Sequence, residues 1–271
     1  MKYLNIIVLT ILVALFISAC GESADSYIKE AEIKMKVNKF DEAIQELEKA
    51  VEIDNKSEEI WALKGKANFL NNNFDAALLD FNKAIELNSK SELTYYFRAL
   101  TNYSLGKPTD AIKDISKTIS INSINDSAYV LRASIYTDID SLVLAEKDLK
   151  KALEINPKNT QAYFGIAALY IGVREYNTAI DYYYEVLKID PKFTEAYINI
   201  GVCYTELGDF PASIQSYSKA IELQPEYALA FYNRAFAKME LGDKFGACAD
   251  WSKAGELGLT DAYNIIKENC R

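Results

Sequence analysis

Residues 160–193 read TQAYFGIAALYIGVREYNTAIDYYYEVLKIDPKF, and residues 194–227 continue TEAYINIGVCYTELGDFPASIQSYSKAIELQPEY. Written one above the other, these two 34-residue stretches agree in kind rather than in letter. The fourth residue is aromatic (Tyr163, Tyr197), the eighth small (Ala167, Gly201), the twentieth small (Ala179, Ser213), the twenty-fourth large (Tyr183, Tyr217) and the thirty-second proline (Pro191, Pro225). Each place demands a shape. Small groups let two helices approach, large ones fill the space between them, and proline ends one helix and opens the next stretch.

The same period runs outward in both directions. Ala31, Gly65, Ala99, Ala133, Ala167, Gly201 and Ala235 follow one another at intervals of 34 residues without a slip. Units counted from Ala24, Glu58, Glu92, Asp126, Thr160, Thr194 and Ala228 carry an aromatic fourth residue in every case: Tyr27, Trp61, Tyr95, Tyr129, Tyr163, Tyr197 and Phe231. The fifteenth is Asn38, Asn72, Gly106, Asp140, Arg174, Gly208 or Gly242. A helix C-terminus needs the left-handed conformation there, which all but Arg174 tolerate readily. Only 11 Gly and 5 Pro occur in 271 residues, and the remainder favours helix.

These spacings resemble the tetratricopeptide-repeat family from residue 24 to about 261. The resemblance implies an all-α fold, a right-handed α-solenoid of seven tandem helical hairpins with the first helix of each lining a concave groove. The hairpins are residues 24–57, 58–91, 92–125, 126–159, 160–193, 194–227 and 228–259. Residues 260–271, with Ala262, Ile265 and Ile266 at helical spacing, read as a capping helix.

The N-terminus reads as an address. Lys2 and an apolar run from Ile6 to Ile17 suit a secretory signal and are too short to span a bilayer as a helix. The following Ile17-Ser18-Ala19-Cys20 resembles the lipobox of bacterial lipoproteins. That resemblance implies removal of residues 1–19, acylation of Cys20 with chains such as palmitate, and a short tether over 20–23. Ordinary cleavage after Gly21 and an uncleaved apolar anchor are the alternatives. Gly21 rather than Asp after the lipidated Cys leans towards the outer membrane, by resemblance to the enterobacterial sorting rule. The expected location is the bacterial cell envelope, lipid-anchored and facing the periplasm.

Composition argues against several functions. A net charge of −9 opposes attraction to nucleic acid. The chain has no His, and its four Cys lack ligand-like spacing, so no metal is expected. The repeats leave no room for a catalytic domain, and no nucleophile, phosphate-binding or metalloprotease motif is present. Neither catalytic residues nor a cofactor nor a small-molecule substrate is expected, and the chain does not read as an enzyme.

The basic residues have a local explanation. Position 7 is Lys64, Arg98, Arg132 or Arg234 in four units, and the same four carry Asp80, Asp114, Asp148 and Asp250 at position 23. Both positions are nearly equidistant from the loop, so antiparallel helices bring them together as surface ion pairs. Where position 7 is Ile166 or Ile200, position 23 is Tyr182 or Ser216. Glu30 and Glu46 break the rule in the first unit. Cys203 reads as a buried free thiol. Cys248 and Cys270 are either free or, in an oxidising compartment, a staple between cap and stack.

In the family, first-helix positions 2, 5, 6, 9, 12 and 13 face the ligand. Middle units present Tyr96, Tyr103 and Phe164 there, residues that also suit packing between repeats. The last two units change character, with Asn199 and Asn233 at position 6, Glu206 and Glu240 at position 13, Glu195 at position 2, and Tyr232 and Phe236 beside them. An amide both donates and accepts, so repeated Asn suits the backbone of an extended peptide, and the glutamates favour a neutral-to-basic one. The expected partner is another protein or an extended peptide segment. A spacer working by self-association is the alternative.

Overall fold

The structure is a computed structural model and describes residues 23–270. The signal segment and Cys20 lie outside the described residues. Among the described residues the chain is all helix, fifteen helices with no strand, and falls into two compact units divided in sequence between Ser123 and Ile124.

The first unit is three hairpins: α1 (Ala24–Lys36) with α2 (Phe40–Ile53), α3 (Glu58–Leu70) with α4 (Phe74–Leu87), and α5 (Glu92–Ser104) with α6 (Pro108–Ile121). The second unit is four more: α7 (Asp126–Asp138) with α8 (Leu142–Ile155), α9 (Thr160–Gly172) with α10 (Tyr176–Ile189), α11 (Thr194–Glu206) with α12 (Phe210–Leu223), and α13 (Ala228–Glu240) with α14 (Lys244–Glu256). A last helix, α15 (Asp261–Asn269), packs on α14. Each first helix begins on the first residue of a 34-residue period.

Local chemistry sets the boundaries. Ser23, Ser57, Asn125 and Asn159 accept a backbone N–H from the first turn of the helix that follows, satisfying a donor with no partner inside the helix. Each first helix ends with the fifteenth residue at positive φ: Asn38 59°, Asn72 61°, Gly106 68°, Asp140 58°, Arg174 62°, Gly208 77° and Gly242 79°. Arg174 therefore adopts the left-handed turn despite its side chain. The next N–H then reaches back to a carbonyl five residues earlier, as in Lys39 to Lys34 at 2.9 Å and Asp209 to Tyr204 at 2.9 Å. Second helices close differently. Asp54, Asn88, Asn156 and Asp190 follow the last turn and accept the N–H two residues on, at 2.9–3.1 Å, which turns the chain into the next repeat.

The small-large alternation is the core. The twentieth residues Ala43, Ala77, Ala111, Ala145, Ala179, Ser213 and Ala247 are fully buried. So are the large twenty-fourth residues Leu47, Phe81, Ile115, Leu149, Tyr183, Tyr217 and Trp251, none more than 3% exposed. Each large group contributes about 1.5–3 kcal/mol by leaving water. Where that group is a ring, the eighth residue sometimes shrinks further: a Cβ at Gly65 would stand 2.7 Å from Phe81, and one at Gly201 would stand 2.6 Å from Tyr217. Within each unit every second helix also packs on the following first helix, and first helices of neighbouring repeats touch, for example α3 with α5 and α11 with α13.

Candidate polypeptide-binding site

Helices α11 and α13 carry the residues expected to meet a ligand. Asn199 and Asn233 are half-buried at equivalent positions, while Glu195 and Glu240 are exposed. The Asn233 amide makes no hydrogen bond among the described residues. Asn199 stands beside Tyr183, whose hydroxyl is buried without a hydrogen bond of good geometry. Burial pushes that phenol well above the ordinary tyrosine range, and the neighbouring Asn199 opposes the push. The two amides thus retain donors and acceptors at the surface of adjacent repeats.

Other residues of the expected groove are already engaged. Glu206, although exposed, accepts the Tyr176 hydroxyl at 3.1 Å, a bond from the preceding repeat that sequence spacing did not disclose. Tyr232 and Phe236 meet edge to face at 5.0 Å, and Phe236 packs likewise on Trp251 at 5.2 Å, yet it remains 39% exposed. They form an apolar shelf fixed by the core. Phe164 packs on Tyr183 at 5.3 Å and on Phe193 at 5.4 Å, so in that repeat the aromatic serves packing.

On α11, Tyr197, Ile200 and Tyr204 recur at three- and four-residue spacing and lie on the helix face opposite Glu195, Asn199 and Glu206. That opposite face is where other repeats hold their ion pairs. Arg98 meets Asp114 at 2.6 and 2.8 Å through two nitrogens, Arg132 meets Asp148 at 2.7 and 2.8 Å, and Arg234 meets Asp250 at 2.7 and 2.8 Å. Lys64 reaches Asp80 by one contact at 3.4 Å. Sequence reading treats these as exposed pairs. The structure corrects that, because the carboxylates are only 5–7% exposed and the cations 17–19%. In the first repeat Lys34 supplies the missing cation for Glu46 at 2.8 Å, which lowers the Glu46 pKa through hydrogen bonds from Lys34 and Lys49.

Cys203 is buried and free, and burial raises its thiol to about 11, which keeps it protonated and unreactive. Cys248 and Cys270 form a disulfide with Cα atoms 5.8 Å apart, joining α14 to the end of α15. Among the described residues no group of three acidic, Cys or His side chains could hold a metal ion, and no helix is long and apolar enough to cross a membrane.

Tetratricopeptide-repeat profiles match residues 28–92, 126–159 and 160–193, and a TPR-repeat profile matches 203–242. The chain belongs to the tetratricopeptide-repeat family. A tetratricopeptide repeat protein from Parabacteroides merdae superposes with a TM-score of 0.70 at 19% identity, over 93% of this chain and all of that one. PilF of Pseudomonas aeruginosa gives a TM-score of 0.67 at 13% identity, over 78% of this chain and 96% of its own. YrrB, described as a TPR protein with an unusual peptide-binding site, gives 0.53 at 22% identity, over 68% and 95%. At these identities the likeness is one of fold. No curated protein matches the sequence. Tetratricopeptide-repeat proteins are in general interaction scaffolds without catalytic chemistry.

Proposed function

We propose that this protein is a lipid-tethered interaction scaffold of the bacterial envelope that binds an extended, neutral-to-basic polypeptide along residues 194–242. The observation that carries the reading is the pair Asn199 and Asn233, half-buried at the same position of adjacent repeats, whose amides can donate and accept beyond the contact of Asn199 with Tyr183. An amide ladder satisfies peptide backbone whatever the peptide's side chains, while Glu195 and Glu240 favour positive ones and the Tyr232–Phe236 shelf offers apolar area. Tethering rests on the lipobox resemblance of Ile17 to Cys20. A Cys248–Cys270 bridge is in keeping with an oxidising compartment.

The test has two arms. Full-length wild type expressed in a bacterial host should partition into detergent with acyl mass on Cys20, and Cys20→Ala should be released; equal release of both removes the tether. Pull-down from envelope extract should then recover one partner at stoichiometric level, with recovery reduced by Asn199→Ala/Asn233→Ala in protein of equal stability. Recovery of the chain alone would favour a self-associating spacer, and unchanged recovery by the double variant would remove the amides from the site.

A further inference from the structure

Three consecutive repeats of the second unit build the same pair of walls and fill the space between them in three ways. The walls are the fourth and eleventh residues of the first helix: Tyr129 and Tyr136, Tyr163 and Tyr170, Tyr197 and Tyr204. In the repeat of α7 and α8 the space holds the Arg132 guanidinium, 5.7 Å from one ring centre and 5.9 Å from the other, with Asp148 as its counterion. In the repeat of α9 and α10 position 7 is Ile166, and the space holds the Tyr182 ring, stacked on Tyr170 at 5.6 Å and tilted to Tyr163 at 6.4 Å. In the repeat of α11 and α12 position 7 is again isoleucine, Ile200, but the residue equivalent to Tyr182 is Ser216. Nothing replaces the missing ring. A cleft of about 510 Å³ opens there, with Ile200 and Ser216 at its base, Tyr197, Tyr204 and Tyr184 as sides, and Gln215, Lys219 and Glu222 at the rim. Its size lies within the range of specific pockets for small groups.

We propose that this cleft receives the aromatic side chain of a partner polypeptide, which takes the place that Tyr182 occupies one repeat earlier. The chain itself supplies the template: Ile166, Tyr163 and Tyr170 hold a phenol ring, and Ile200, Tyr197 and Tyr204 repeat that setting. A basic side chain suits it less. Asp148 has no counterpart, since Ser216 donates its hydroxyl to the Ala212 carbonyl at 2.9 Å, and both oxygens of Glu222 are taken by Lys219 at 2.8 Å. A guanidinium would lose water there without gaining a carboxylate. The Tyr204 hydroxyl supplies no charge either, since its hydrogen bond with Tyr184 and burial push it up to about 12. The cleft lies on the face of α11 opposite the Asn199 site, so it offers a second, separate contact.

Ligand-observed NMR on the full-length chain tests this with p-cresol, the tyrosine side chain alone, and with a capped Gly-Tyr-Gly peptide. Both should bind wild type saturably in the millimolar range. Both should weaken about tenfold or more in Ser216→Tyr, which installs the filling of the preceding repeat, and in Ile200→Arg/Ser216→Asp, which installs that of the repeat before. Two fillings of different chemistry guard against one variant failing to fold, and melting curves verify each. No saturable binding, or equal binding to the filled variants, overturns the proposal. So does binding of p-cresol with exclusion of the peptide, which would mark a site for free phenolic molecules. Tighter binding of ethylguanidinium than of p-cresol overturns it in favour of a basic side chain.

Discussion

Repeats 4 and 6 share a period, a backbone and two tyrosine walls, yet one closes its outer face with a charged pair and the other leaves it open. In repeat 4 the guanidinium of Arg132 lies between Tyr129 and Tyr136 and meets Asp148 through two nitrogens. In repeat 6 Ile200 and Ser216 stand at the same two positions and leave a cleft. Both repeats keep the buried inner contacts of positions 8, 20 and 24, and a buried alanine, Ala152 or Ala220, at position 27. The outer pair is therefore free to vary.

The strongest way to break the comparison is to leave repeat 4 half filled. Asp148→Ala should cost about 3 kcal/mol in urea unfolding, because it strands a cation that is largely buried. The double change Arg132→Ile/Asp148→Tyr reproduces the filling of repeat 5 between equivalent walls, and it should recover most of that loss despite altering more atoms. A double variant no more stable than Asp148→Ala would show that the three fillings are not interchangeable, and that the pair holds the repeat together by more than occupying space.

A second change asks whether repeat 6 is open because it is loose. Behind the cleft Gly201 faces Tyr217, and an added Cβ would come within 2.6 Å of the ring. Gly201→Ala should therefore destabilise by about 1–3 kcal/mol through overpacking, despite the better helix propensity of alanine. A neutral or stabilising result would mean that the core side of repeat 6 yields, and that the cleft is a symptom of slack rather than a formed feature.

The loops sharpen the contrast between repeats 5 and 6. Arg174 holds φ 62° where Gly208 holds 77° at the equivalent turn, and the left-handed region costs a residue with a Cβ roughly 1–2 kcal/mol. Arg174→Gly should stabilise by about 1 kcal/mol or less, since glycine also loses more freedom on folding. Destabilisation would show that the Arg174 side chain has a role its exposure hides.

Much of this was legible in the sequence, and the limits have physical causes. The period, the small-large alternation and the left-handed turn are one-residue demands, so a string of letters displays them. The pairing of positions 7 and 23 also follows from spacing, but the burial of Asp114 and Asp148 does not, because spacing places two side chains together without saying how much water reaches them. Similarly, the sequence suggests Glu206 as a groove acid but does not disclose it as the acceptor for Tyr176, thirty residues away. The open cleft was present in the letters as the exception Ile200 with Ser216, which reads as a missing pair. A missing pair becomes a cavity only when the neighbouring side chains are seen not to collapse into it. Acylation of Cys20 lies outside the described residues and stays with the proposal above.

The smallest expected effect extends the comparison to repeat 2, where lysine replaces arginine. Lys64 reaches Asp80 at one contact of 3.4 Å, against two short contacts in the arginine pairs, and Asn68 adds a bond at 2.8 Å. Burial outweighs these partners and raises the Asp80 pKa above its usual value. A carboxyl with a raised folded-state pKa binds its proton more tightly in the folded chain than in the unfolded one. Its contribution to stability is fully present below the unfolded pKa and is lost as pH rises through the folded one. Asp80→Asn, which keeps the shape and removes the charge, should therefore gain on wild type as pH rises from about 4 towards 7. The difference between the two urea midpoints is the quantity to follow, since every other carboxylate cancels from it. Lys64→Arg should oppose the trend by bringing a second donor to Asp80, as the arginine repeats do. If Asp80→Asn instead loses ground to wild type as pH rises, the single lysine contact suffices to compensate the buried charge, and the distinction drawn here between lysine and arginine pairs fails.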